Sequence, residues 1–387
     1  MAARAPLATL AALLLVRLAD EWFSFFPAGL LEPIRHDTGL SYAQLGLILA
    51  APNAGGLLGN AVIVAADYVD RRWISVAGAF AYALALAGFG VSRSLPLFLA
   101  WGILWGVASD AFVHGCELTL VDLYRAELPI ILGRVNAYGS VGDLLGPLAI
   151  GVALSLTVTW RAIFLGGAAL MLVYGVALLL SPFPSKERPI LDDAPTVRQN
   201  ISLLLRDRSL ILMAVVDTLL GFLDEPFQGF LSAYLQNQRG VPPRLATAVL
   251  GVTIAAGLGG FLSMPAFAGR DPRRLLLGFA ALTALGAVVV VAVPLLPVTF
   301  AAAALFGFSG AAFYSLLQTS YLSLHPESTG TTEAVVSTVG TFGIALPFVA
   351  GTVADHFGLT GGMAAFALAA LAALALTALA VRPAERT

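Results

Sequence analysis

Several carboxylates of this chain stand where a lipid bilayer tolerates them least. Asp20-Glu21, Asp224-Glu225 and Asp110 lie inside long apolar runs, with Asp217, Glu117 and Asp143 as further acidic members. A charge at the bilayer centre costs about 3 kcal/mol on insertion scales, so intramembrane acids are read as functional by default. Arg17 is the basic residue at comparable depth, three positions before Asp20 and four before Glu21, the spacing of a counter-ion on one helical face. One arginine cannot neutralise that set, so the pattern predicts carboxyls that hold protons at rest or share a bound cation. Asp110, His114 and Glu117 follow at spacings of four and three, along one stripe of a helix. Asp217 falls two turns before Asp224 on the same predicted face. Burial favours the neutral carboxyl and a nearby cation favours the charged one, so protons and a cationic solute can compete for the same groups. Carboxylates with one imidazole also suit a divalent metal ion, with Asp20, Glu21, His114, Glu117, Asp224 and Glu225 as its candidate ligands. Trp22, Phe23, Phe25, Phe26, Trp101, Trp105, Phe112, Phe222 and Phe227 lie near these groups and would offer π faces to an organic cation.

The elements that position these residues must be membrane helices. Of 387 residues, 59% are hydrophobic and 11% charged, and mean hydropathy is +0.89. A soluble domain carries about 25% charge, so this composition cannot cover a water-facing surface. A net charge of −2 with no basic face argues against nucleic-acid binding. The single Cys116 excludes a disulfide framework and a cysteine metal cluster. Twelve apolar runs are long enough to cross a bilayer: 7–31, 42–66, 73–91, 96–123, 135–157 and 161–181, then 210–236, 245–268, 275–293, 298–324, 333–354 and 360–381. A polar, proline-rich stretch between the sixth and seventh divides the chain into an N-terminal six-helix bundle (1–183), a cytoplasmic linker (184–208) and a C-terminal six-helix bundle (209–387). Lys and Arg concentrate on one side, fifteen against five with Arg17 inside the membrane, which places both termini in the cytoplasm.

The two halves repeat. Asp20-Glu21 recurs as Asp224-Glu225 after 204 residues, Gly139-Ser-Val-Gly142 as Gly340-Thr-Phe-Gly343 after 201, and Arg71-Arg72 as Arg273-Arg274 after 202. By the same offset Glu117 corresponds to Gln318 in the tenth run. A parallel repeat of six plus six spans predicts an all-α membrane protein: twelve transmembrane helices in two six-helix bundles related by a pseudo-two-fold axis along the membrane normal.

With those features the chain resembles the major facilitator superfamily over essentially its whole length. Asp67-Tyr-Val-Asp70-Arg71-Arg72 is similar to the loop motif after the family's second span, Gly-x-x-x-Asp-Arg-x-Gly-Arg-Arg. Ile63, Tyr68 and Asp70 depart from it, so the gating role the resemblance implies rests on Asp67, Arg71 and Arg72. Gly142-Asp-Leu-Leu-Gly146-Pro147-Leu-Ala-Ile-Gly151 is similar to the antiporter motif Gly-x-x-x-Gly-Pro-x-x-Gly-Gly, with Ile150 in place of one glycine. The plainer reading of such glycines is close helix packing. The resemblance also implies that spans one, four, seven and ten line a central cavity, and that substrate moves by alternating access.

Together these readings predict proton-coupled export of a cationic small molecule or metal ion by antiport. The expected substrate and proton residues are Asp20, Glu21, Asp110, His114, Glu117, Asp217, Asp224, Glu225 and Gln318, with Arg17 as counter-ion. The alternative is proton-coupled uptake of a polar organic solute, a sugar or organic acid. Only His114 of four histidines lies at depth, and no His-Glu-x-x-His or Gly-x-Ser-x-Gly pattern occurs, so no enzyme and no cofactor are expected. The protein is expected in the bacterial inner membrane, as a monomer whose partners are its substrate, protons and lipid.

Overall fold

A computed structural model of the chain describes residues 6–40, 42–182 and 197–381. The termini and most of the sequence-predicted linker, residues 184–196, lie outside the described residues, so the cytoplasmic placement of the termini has no structural counterpart here. Among the described residues every regular element is helical and there is no strand. Nine of the helices are long and apolar enough to cross a membrane. Spans one, seven, eleven and twelve differ from simple rods; the last two are counted among the nine as one stretch, 329–380. Span one, residues 7–38, is interrupted at Leu15, Phe25 and Leu30. Span seven is cut at Leu223–Asp224 into Arg208–Phe222 and Glu225–Ala233. Spans eleven and twelve run on as one helical stretch whose turning point is Gly358, at φ 74°, a left-handed backbone that glycine adopts without a Cβ penalty.

Two compact units follow from the contacts. The first holds spans one to six together with Glu327–Ala334; the second holds the remainder from Val197 onward. The helix Thr329–Thr341 therefore begins among residues that pack with the first unit.

In the first unit, span two (Tyr42–Ala65) and span three (Arg71–Val91) pack on span four (Leu95–Leu123). Span five (Leu128–Ser155) packs on the Val16–Ser24 stretch of span one, and span six (Trp160–Leu180) on span three. Small residues make these approaches close, as membrane helix packing requires. A Cβ at Gly106 would run into the Pro52 carbonyl, and one at Gly55 into the Ile103 carbonyl. The second unit repeats the device between spans eight (Pro243–Leu262) and ten (Leu296–Leu324), where Gly307 meets the Thr253 carbonyl and Gly260 that of Phe308.

The repeat also appears in the caps. Asp70 accepts the Arg72 N–H at 3.0 Å to start span three, and Asp271 accepts the Arg273 N–H at 3.0 Å to start span nine (Pro272–Ala292). The duplicated basic pairs thus sit in the first turns of equivalent helices, behind equivalent N-caps.

Candidate functional site

The buried polar network of the first unit is built on spans one and four. Arg17, on the helix Val16–Ser24, donates to Glu117 with two nitrogens: Nε to Oε1 at 2.6 Å and Nη2 to Oε2 at 3.3 Å. Its contact with Glu21 is longer, Nη1 to Oε1 at 3.7 Å. The i,i+4 spacing had pointed to Glu21 as its partner; the close packing of spans one and four makes Glu117 the stronger one. Glu117 is 3% exposed, and a two-pronged guanidinium–carboxylate pair is among the stronger polar contacts.

Asp20 and Glu21 point different ways, as adjacent helical residues must. Asp20 is buried and accepts the Ser109 hydroxyl at 2.6 Å, while the Tyr82 hydroxyl donates to its main-chain oxygen at 3.4 Å. Glu21 stays partly open, its side chain 30% exposed, and lies along Gly139 and Gly142 of span five. Asp20 therefore belongs to the packed interface with spans three and four, and Glu21 is the accessible member of the pair.

The expected stripe on span four divides. Asp110 packs against Gly56 and Gly59 of span two, where a Cβ at Gly59 would meet its Cβ at 2.8 Å. His114 and Glu117 stay together, Nδ1 to Oε2 at 4.0 Å. A second carboxylate approaches the same nitrogen: Glu333, in the segment Glu327–Ala334, has Oε1 3.9 Å from His114 Nδ1. Both distances are too long for direct hydrogen bonds, and Nδ1 is buried without one. Glu333 was not expected here, because a charged residue at the first position of an apolar run reads as a solvated helix end. Ser109 and Tyr82 were equally unsignalled.

The residues of the loop after span two form a clasp on that same segment. Asp67 accepts the Gly330 N–H at 2.8 Å, the Thr331 N–H at 2.5 Å and the Thr331 hydroxyl at 2.7 Å. It thus covers the N-terminus of the helix Thr329–Thr341, where unpaired N–H groups and the positive dipole end favour an anion. Arg71 is 7% exposed and donates to Asp122 at 2.9 Å, to the Thr329 hydroxyl at 2.9 Å, to Asp67 at 3.4 Å, and to the carbonyls of Ala66 and Leu118. Arg72 turns aside to the Leu179 carbonyl at 2.8 Å, so the two arginines of the pair have separate partners.

The glycine-rich stretch of span five is an approach surface. A Cβ at Gly142 would lie 2.5 Å from the Leu18 oxygen and 3.0 Å from the Glu21 Cβ, and one at Gly146 2.9 Å from the Phe25 Cβ. Gly151 meets nothing within 4 Å, and Pro147 and Asp143 are exposed. Close packing against span one accounts for Gly142 and Gly146 by itself.

In the second unit the acids are looser. Asp224 sits at the break in span seven, exposed, and accepts the Gln228 amide at 3.0 Å. The break removes the continuous helix on which Asp217 and Asp224 were to share a face. Glu225 opens the next helix, Glu225–Ala233; its side chain lies outside the described residues. Gln318 is 1% exposed. Among the described residues no group of three or more His, Cys, Asp and Glu side chains is placed to hold a metal ion. The aromatic residues serve the cores: Phe222 stacks on Phe366 at 4.2 Å, Phe227 meets Phe306 at 4.3 Å, and Phe23, Trp105 and Phe112 surround Tyr82 at 5.4–6.2 Å. Rings buried against one another leave few faces for a cation.

Long apolar helices in two units, with a buried acidic network around Arg17, define a multi-pass membrane transporter. The chain belongs to the Major Facilitator Superfamily, whose family model matches residues 11–346. It is 25% identical over 336 residues to an uncharacterized transporter of that type, YfkL of Bacillus subtilis, covering 83% of this chain and 81% of that one. It is 30% identical over 144 residues to a chloramphenicol resistance protein of Pseudomonas aeruginosa; the match covers 36% of this chain and spans about a third (33%) of that relative. Among solved structures the fold is similar to the transporter FucP in its outward conformation, with TM-score 0.78, 15% identity and coverage of 97% and 99% of the two chains. A second structure, of a variant of the E. coli fucose:proton symporter FucP, gives TM-score 0.79 at 16% identity, covering 98% of this chain and 100% of that one.

Proposed function

We propose that this secondary transporter couples protons to the export of a cationic small molecule, by exchange at the network of spans one and four. One observation carries the reading: Asp20, Glu21 and Glu117 gather around Arg17. In this reading Arg17 and Glu117 form the fixed pair, buried Asp20 carries the exchangeable proton, and accessible Glu21 meets the arriving cation. Carboxyls in excess of cations have room for a proton or a positive solute, but not both. One-for-one exchange of a proton for a monovalent cation moves no net charge, so the pH difference drives it, at about 1.36 kcal/mol, or roughly a tenfold substrate gradient, per pH unit. An organic cation fits better than a metal ion, since no ligand cluster is assembled among the described residues.

Export is favoured by the Gly142–Gly151 pattern and by the partial similarity to a resistance protein. The packing role of Gly142 and Gly146 weakens the first of these. We assign Asp67 and Arg71 the gating role, since residues they hold on the first unit must let go for a rocking cycle to turn. In this reading the protein works as a monomer in the bacterial inner membrane with both termini inside, as the distribution of Lys and Arg suggests.

The test is proton movement in liposomes carrying the purified protein and an internal pH dye, under an imposed pH gradient. Ethidium, divalent metal salts and neutral sugars are added in turn. Ethidium is expected to drive proton movement. Movement with a sugar or organic acid instead, and none with any cation, would replace export with solute uptake.

A further inference from the structure

The short helix Val197–Leu204 precedes span seven and takes no part in the network around Arg17. Its eight residues cover about 12 Å, too little to cross a bilayer. Yet Leu203 and Leu205 at its end are 61% and 55% exposed, while Leu204 between them is 2% exposed and packs inward. Arg206 and Arg208, which follow, are exposed as well. We propose that this turn is a binding site for the headgroup of an anionic phospholipid: the two leucines enter the bilayer interface and the two arginines hold the phosphate. The site is independent of what the protein carries and of which ion it couples to.

Span seven starts at Arg208, so Leu205, three residues earlier, lies within about 11 Å of that start even with the chain fully drawn out. The chain is not drawn out: the Arg206 and Asp207 N–H groups donate to the Leu203 and Leu204 carbonyls, both at 3.1 Å. This tight turn keeps the leucines at headgroup depth, on the side where Lys and Arg concentrate. Two open leucines there gain by entering the boundary between headgroups and acyl chains rather than facing water, and the arginine stems can lie along the same boundary with their charges at the phosphates.

The two arginines are uncommitted. Asp207, the acid between them, is engaged elsewhere: Oδ1 accepts the N–H groups of Ser209 at 2.8 Å and Leu210 at 3.2 Å, and Oδ2 lies 2.8 Å from His325 Nε2. No carboxylate among the described residues forms an ion pair with Arg206 or Arg208. Two open guanidinium groups beside an apolar turn suit the phosphate diester of a lipid whose chains lie next to the leucines. The contacts of the turn also fix it on the second unit. His325 follows the last residue of span ten, and the Ser209 hydroxyl donates to the Ala380 carbonyl at the end of span twelve at 3.3 Å. A headgroup held here therefore bears on the ends of spans seven, ten and twelve together.

Cys116 is the single cysteine and is fully buried, so Leu203→Cys offers one reactive thiol for a bimane label in the full-length protein. The labelled protein is placed in phosphatidylcholine liposomes that carry a small, equal fraction of nitroxide-labelled phosphatidylglycerol or nitroxide-labelled phosphatidylcholine, the nitroxide close to the headgroup. Both lipids are expected to quench bimane, the phosphatidylglycerol about fivefold more strongly. Arg206→Gln combined with Arg208→Gln is expected to bring the two lipids level, as is high salt. In detergent without added lipid that variant is expected to unfold at the wild-type temperature, which reports intact folding. Absence of quenching by either lipid would take the turn off the bilayer. Equal quenching with both arginines present would leave an unselective apolar contact, and a preference that survives their replacement would place the charge elsewhere. Each of these results overturns the proposal.

Discussion

Arg17 and Glu117 stand 100 residues apart in sequence and meet through two hydrogen bonds, at 2.6 and 3.3 Å. This pair fixes span one against span four at the level where the other acids gather. A buried ion pair is weak evidence for stability, but removing one member strands the other and costs about 3–5 kcal/mol. Arg17→Ala is therefore expected to yield little folded protein, and Glu117→Gln milder loss because the amide still accepts one guanidinium bond. The double change Arg17→Met with Glu117→Leu should recover folding without recovering proton movement. Thermal unfolding in detergent, beside the liposome assay, reads both effects. Equal damage in the single and double variants would show that the pair contributes more than charge compensation.

The clasp makes a separate prediction. Asp67→Asn keeps a side-chain acceptor but loses the charge opposite the dipole of the helix Thr329–Thr341. The loss is expected to weaken the hold on Gly330 and Thr331 by about 1 kcal/mol, seen as faster hydrogen exchange confined to 327–334. Arg71→Lys should do more harm, since no ammonium can reach Asp122, Thr329 and the Leu118 carbonyl together. Unchanged exchange in both variants would remove the clasp from the gating account.

The glycines of span five can be sorted by what surrounds them. Gly142→Ala places a methyl 2.5 Å from the Leu18 oxygen, overpacking of a kind that costs about 1–3 kcal/mol. Gly151→Ala meets nothing within 4 Å and should change stability little. Transport by Gly151→Ala at the wild-type rate, with Gly142→Ala impaired in stability and transport together, would mark the motif as packing. Loss of transport in Gly151→Ala with stability intact would restore a specific role for the whole pattern.

How far the sequence spoke depends on the range of the contact. Twelve apolar runs, the repeat and the acid-bearing spans were legible because composition and spacing are local properties. The N-caps Asp70 and Asp271 express the duplicated basic pairs directly. Tertiary partners were not legible. Helical arithmetic offered Arg17 the neighbour at i,i+4, yet packing of spans one and four gave it Glu117. Periodicity put Asp110 on the stripe of His114, while the glycines of span two opened a slot that received it. Glu333 was hidden because a residue at the head of a span carries no intramembrane signal; only the fold brings it beside His114. Asp217 and Asp224 were separated by a helix break at Leu223–Asp224, which no proline marks before Pro226.

Outside the membrane the second unit carries a pH-dependent contact. Burial pushes the Asp207 carboxyl up, but the hydrogen bond from His325 at 2.8 Å, the N–H groups of Leu210 and Ser209, and the charge of His325 outweigh it and hold it below its usual 3.8. A carboxyl lowered in the folded state stabilises above its unfolded value, and that stabilisation is lost as pH falls through the folded one. Asp207→Asn should therefore lower Tm at pH 7, and the gap from wild type should close as pH drops below about 4. A gap that is constant with pH would assign the effect to the helix cap rather than the charge.

The central claim is that a proton and a cation compete for the carboxyls beside Arg17. Its most direct measurement is the release of protons when ethidium binds the purified protein in weakly buffered detergent solution at pH 7, for wild type, Asp20→Asn and Glu21→Gln. The account predicts proton release on binding by wild type, binding without release by Asp20→Asn, and weakened binding by Glu21→Gln. Ethidium binding that releases no proton from wild type, or the same release from all three proteins, would contradict it.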